Sequence, residues 1–100
     1  MTFPSGSTET SYSHCYINRA TKECYISIYV TFPNGLVSGG ATIISEAPIP
    51  INGSMNVLCL DYSSSGIEPF PAYFDYGALR SRKALTAGHT ILGSFIYLMN

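Results

Sequence analysis

The side chains that could do chemistry in this chain are few and scattered: six acids, five basic residues and two histidines over 100 residues. His14 beside Cys15, with Cys24 further on, is the first group that could hold a metal. Strand alternation sends His14 and Cys15 to opposite faces, however, and a shared ion would not tolerate that. The cysteines Cys15, Cys24 and Cys59 stand at no metal-ligand spacing, so no metal and no cofactor are expected. Cys15 and Cys24 read as small core hydrophobes in one cross-strand pair, with a disulfide between them as the alternative. Nucleophilic catalysis needs Ser or Cys near His and an orienting acid, and no G-x-S-x-G turn occurs. Asp61, Glu68 and Asp75 could supply paired carboxylates for glycoside hydrolysis, yet their spacing carries no such information. The chain therefore reads as non-enzymatic.

Tyrosine is the distinctive polar residue, with eight in the chain and no tryptophan. Tyr73 and Tyr76 flank an expected turn that also holds Asp75. Tyr25 and Tyr29, with Tyr16 beside them, fall on the outward face of expected strands. An exposed ring with a carboxylate and a guanidinium nearby can stack on the apolar face of a sugar while its neighbours take the hydroxyls. Strand tyrosines serve equally well as packing between subunits.

The elements that must position these groups are strands. Glu23–Phe32 alternates Cys24, Ile26, Ile28, Val30 and Phe32 with polar or tyrosine positions, a period of two with β-branched and aromatic enrichment. Ser13–Asn18 is its expected hairpin partner. A turn centred between Arg19 and Ala20 sets Cys15 opposite Cys24 and Ile17 opposite Lys22, with both on the core face. Pro33-Asn34-Gly35 ends the second strand. Ala41–Ser45 is a short strand, and two prolines keep 47–53 out of any central ladder. Met55–Tyr62 is apolar on both faces and so central. Ala72–Asp75 and Ala78–Arg82 form a hairpin across Tyr76-Gly77. The closing strand carries Ile91, Gly93, Phe95, Tyr97 and Met99 on one face and Leu92, Ser94, Ile96 and Leu98 on the other. Both faces are apolar, so the strand is central to two layers or packs against another chain. No segment recurs with helical spacing. The fold expected is all-β, an antiparallel sandwich or barrel over 11–100, with 1–10 a flexible lead-in or linker.

Composition narrows the partners. Charged residues are 11% of the chain and the formal net charge is −1, so the basic footprint of nucleic-acid binding is missing. No apolar run is long enough for membrane insertion by a helix. The opening residues lack the basic and apolar regions of a signal peptide. An odd cysteine count fits synthesis in a reducing cytoplasm better than a secreted disulfide framework.

The order of these elements (a Tyr-containing hairpin, ISIYVTF, GGATIIS, a proline loop, YFDYGALRSRKALTAG and a closing ILGSFIYL) resembles the C-terminal domains of tail-fibre and baseplate proteins from phages and prophages of Gram-positive hosts. The likeness spans Ser11 to Asn100 and rests on strand patterns and turn residues. It implies a homotrimeric head domain at the tail tip of a virion, made in the host cytoplasm. Such a head neighbours other tail or baseplate proteins and recognises host cell-wall polysaccharide without catalysis. Asn100 then reads as the natural end of a longer fibre protein. On residue type and expected exposure, the ligand-binding set is Tyr73, Asp75, Tyr76, Arg80 and His89, with Tyr76-Gly77 and Gly88-His89 at loop tips. A purely structural subunit or adaptor is the alternative, and a small glycan hydrolase the weaker one.

Overall fold

The computed structural model describes residues 1–3, 7–9, 13–32 and 40–100. Its strands are β1 (Thr8–Glu9), β2 (His14–Asn18), β3 (Glu23–Thr31), β4 (Thr42–Ile44), β5 (Ser54–Ser63), β6 (Gly66–Asp75), β7 (Ala78–Ser81) and β8 (Thr90–Leu98). All pairings are antiparallel, in the order β1-β3-β8-β5-β6-β7-β4, with β2 sharing the β1 side of β3. No helix occurs among the described residues. The turn expected at Pro33-Asn34-Gly35 lies outside them.

The sheet is curled into a half-barrel, and its pairing explains the curl. β3 and β8 pair over nine positions and β5 and β6 over ten. Between β5 and β8, only Leu60↔Leu92, Asp61↔Ile91 and Tyr62↔Thr90 pair. Beyond that junction β8 leaves with β3 and β5 leaves with β6, so one sheet opens into two facing wings. Phe74 from β6 meets Phe95 of β8 edge-on at 5.8 Å and Tyr97 at 5.1 Å, which closes the space between the wings. Aromatic pairs at these separations add packing energy beyond the area they bury. Ile26, Ile28 and Val30 of β3, Phe70 and Phe74 of β6, Leu79 of β7 and Ile91 of β8 complete a core that is almost fully buried. The alternation seen in the sequence thus delivers one inward face per strand, and the expected sandwich or barrel takes the form of a half-barrel.

Both strands expected to be central are so: β8 lies between β3 and β5, and β5 between β8 and β6. β6 extends further back than Ala72–Asp75 and takes in Pro69 and Pro71. β7 covers β6 only from Ala72 to Asp75, so both prolines sit where β6 is an edge strand. The Pro71 carbonyl accepts from Arg82 N on that outer side, and the ring nitrogen points the same way, where no ladder donor is needed.

The β2–β3 hairpin forms with a register different from that expected from the sequence. Cys15 pairs with Ile26 and Ile17 with Cys24, a shift of two residues. The loop is Arg19–Lys22 rather than two residues. Asn18 Oδ1 organises it by accepting from Ala20 N at 3.1 Å and Thr21 N at 3.3 Å, and Lys22 takes a positive φ of 63°. A slip of two preserves the face of every side chain, so Tyr16 stays outside and Cys15 packs against the core, but Ile17, expected on the core face, is 42% exposed because β2 runs past the edge of the core there. The lead-in expected over 1–10 is in part tied to the sheet: β1 pairs with Val30 and Thr31, and Thr2 bridges Ser45.

Candidate functional site

Arg80 organises one end of the β6–β7 hairpin. It is the cross-strand partner of Tyr73. Its Nε donates to Asp75 Oδ2 at 3.2 Å, and its Nη1 donates to the Gly40 carbonyl at 3.0 Å and to Thr42 Oγ1 at 3.2 Å. Arg82 lies with its guanidinium carbon 4.2 Å from the centre of the Tyr73 ring and donates through Nη2 to Asn56 Oδ1 at 3.0 Å. Three of the expected residues, Tyr73, Asp75 and Arg80, are therefore gathered, and two guanidinium groups pin them.

Tyr76 stands at the tip of the same hairpin and is 65% exposed. Its φ of 54° is a conformation that side chains with a Cβ rarely adopt. Two backbone hydrogen bonds hold it there, from Tyr76 N to the Gly53 carbonyl at 2.6 Å and from Ala47 N to the Gly77 carbonyl at 3.0 Å. A Cβ on Gly53 would come within 3.1 Å of the Tyr76 ring, so that ring rests on bare backbone. The result is an outward aromatic surface, on a fixed turn, beside a half-exposed carboxylate.

His89 does not join this group. Its Nδ1 lies 2.8 Å from Asp61 Oδ1, and the other oxygen of Asp61 accepts from Lys83 Nζ at 3.1 Å. A carboxylate can only accept, so Nδ1 carries the proton, and in the neutral ring Nε2 is left as an acceptor. Asp61 pairs with Glu68 near the start of β6, whereas Asp75 ends that strand. The seven-residue separation puts the two clusters roughly 23 Å apart along the strand. The His89 end borders a cleft of about 250 Å3 that Ser63, Ser65, Ile67 and Glu68 also line. Among the described residues no group of three or more His, Cys, Asp or Glu side chains could hold a metal ion.

The cysteines lie on the core side. Cys15 and Cys24 are free thiols with their sulfurs 3.8 Å apart, and Cys59 is also free. Burial pushes the Cys15 thiol up to about 11, with the neighbouring Cys24 adding to the effect. Cys15 and Ile17 also line an open groove with Pro48, Ile49 and Met99.

Arg82, Asn56 and Lys83 are the participants that the sequence does not single out, and Asp61 stands there only among the carboxylates that could serve glycoside hydrolysis. Asp61 carried one usable signal, an acid at the same parity as buried Cys59, because an inward carboxylate must find donors. Arg82 lies two residues beyond Arg80, the cross-strand partner of Tyr73, and its N–H still donates to the Pro71 carbonyl, so its side chain reaches the Tyr73 ring on the diagonal.

In comparisons with known proteins, the chain matches no family model, and no curated protein or solved structure matches it.

Proposed function

We propose that the chain is a receptor-binding head domain of a phage tail appendage, a homotrimer that recognises host cell-envelope saccharide without catalysis. The observation that supports this most is the end of the β6–β7 hairpin, where the exposed Tyr76 ring stands beside the Asp75 carboxylate. A sugar's apolar face can stack on such a ring while Asp75 accepts from its hydroxyls. Arg80 holds the Asp75 carboxylate, and backbone hydrogen bonds to Gly53 and from Ala47 fix the turn that carries Tyr76, so less ordering is left to occur on binding. His89, Ser63 and Ser65 at the far end of β6 offer a second place for hydroxyl contacts. The resemblance in element order supplies the biological setting, a tail tip beside other tail or baseplate proteins.

The test is calorimetric titration of the protein with purified cell-wall polysaccharide from Gram-positive bacteria. Binding that Tyr76→Ala weakens at least tenfold, with circular dichroism unchanged, is the expected result. Equal binding by Tyr76→Ala, Asp75→Ala and His89→Ala would remove the site. No binding to any wall polysaccharide favours the second reading, a purely structural tail subunit. That reading has its own support in Arg80 and Tyr73, whose polar and ring surfaces are already engaged within the chain.

A further inference from the structure

We propose that Cys15, Cys24 and Met99 form a binding site for a soft monovalent cation, copper(I), held by sulfur alone. Cys15 on β2 and Cys24 on β3 belong to the core side, with their sulfurs 3.8 Å apart. Tyr97 is the direct partner of Cys24 on β8, and Met99 lies two residues further along the same face. Met99 is partly buried against the same core and lines one open groove with Cys15. Three neighbouring stretches of chain thus bring sulfur to one end of the half-barrel, with a path to solvent.

The register decides between a bond and a bridge. Cys15 pairs with Ile26 and Cys24 with Ile17, so the two cysteines are diagonal neighbours. Diagonal positions of an antiparallel pair lie about 7–8 Å apart, and beyond about 7 Å a disulfide needs backbone movement. An ion asks for less. Two sulfurs at 3.8 Å both reach a metal at about 2.3 Å, with an angle of roughly 110° between them. That angle is too bent for two-coordinate binding and leaves a place for a third donor, which Met99 fills.

The donor set selects the ion. Zinc takes four ligands, mostly thiolate, imidazole and carboxylate, and among the described residues no third group of that kind stands with the pair. His14 takes no part, because its ring packs with Tyr16 and Tyr25 on the other face. Thiolate and thioether sulfurs are soft donors and favour copper(I). Burial keeps the Cys15 thiol protonated, so the ion must displace thiol protons as it binds. Arg19 borders the groove and offsets the single negative charge that two thiolates and one copper(I) leave.

The site stands apart from the saccharide proposal, since a head domain and a scaffold would carry it equally. Titration of the reduced protein with copper(I) alone, kept reduced by ascorbate under argon, tests it in competition with the coloured bicinchoninate complex. One copper per chain, bound far more tightly than by glutathione, with protons released and circular dichroism unchanged, is the expected result. Cys15→Ser should remove this binding. Met99→Leu, which nearly keeps the volume, should weaken it at least tenfold. Cys59→Ala, at a buried thiol outside the pair, should leave it intact. Should Cys15→Ser misfold, Cys15→Ala provides the same comparison. An affinity no better than that of glutathione overturns the proposal and leaves the thiols as core packing. Zinc bound as tightly as copper(I), or copper bound equally well by folded Met99→Leu, overturns the three-sulfur site as well.

Discussion

Asp61 and His89 meet at 2.8 Å across 28 residues of chain, from the inward face of β5 to the residue just before β8. Lys83 completes the cluster from the other end of the same loop, with its ammonium also 5.2 Å from the centre of the Phe70 ring. The 83–89 segment is thereby fastened at both ends to one buried carboxylate. Replacing Asp61 by Ala leaves two donors without their acceptor at a largely covered site. A loss of about 1–3 kcal/mol in unfolding free energy is expected, read from urea denaturation. Loss of polysaccharide binding without loss of stability would instead mark the cluster as a contact surface.

Gly93 is required by Phe95. A Cβ at Gly93 would lie 2.6 Å from the tip of the Phe95 ring and 3.3 Å from Ile28. That ring cannot swing clear, because it is buried against Phe74 at the closure of the two wings. Gly93→Ala should destabilise the domain by about 1–3 kcal/mol through overpacking, measured as a lower urea midpoint with an unchanged slope.

At Gly53 the backbone and the site share a constraint. Its φ of 81° strains any residue with a Cβ, and the 3.1 Å approach to the Tyr76 ring means that ring must yield to one. Gly53→Ala is expected to cost on the order of 1 kcal/mol or more and to shift the Tyr76 ring. If the hairpin end binds saccharide, affinity falls in this variant although residue 53 itself offers no side chain. Unaltered stability in Gly53→Ala would contradict the strain argument.

Alkaline pH should expose the buried thiols. Burial pushes the Cys59 thiol up to about 12, and Cys15 reaches about 11. Both values lie above the 9.0 of an unburied thiol, so above that pH the unfolded chain has given up protons that the folded chain retains. Stability is then fully present below about pH 9 and falls as pH rises toward the folded values, by at most about 1.4 kcal/mol per pH unit for each such group. Cys59→Ala should flatten part of that slope while lowering stability at neutral pH through the lost packing. A slope identical in the variant would show that Cys59 does not titrate in this range.

The outward tyrosines and the inward Ile26, Ile28 and Val30 were legible because strand periodicity is two and needs only local residues. Centrality of β5 and β8 was legible for a similar reason, since a strand apolar on both faces has no place at a solvated edge. The hairpin register was not, because Cys15 keeps its face whether it pairs with Cys24 or Ile26. The choice lay with Asn18, whose side chain closes a four-residue loop. Four members of the expected ligand set lie on one hairpin, where sequence proximity carries over into space. His89 sits at the far end of β6, because β8 enters the sheet beside β5 rather than beside β7.

What the sequence by itself determined is therefore the class of fold and the face of each side chain, both consequences of alternation and of turn residues placed along the chain. Tertiary structure alone decided that β5 and β8 pair for just three residues and then part. That short junction splits one sheet into two wings, brings Phe74 against Phe95 and Tyr97, and leaves Tyr29, Leu92, Leu60 and Pro69 in one row on the outside. Pairing between strands distant in sequence depends on how whole elements twist and pack, and no window of neighbouring residues contains that balance.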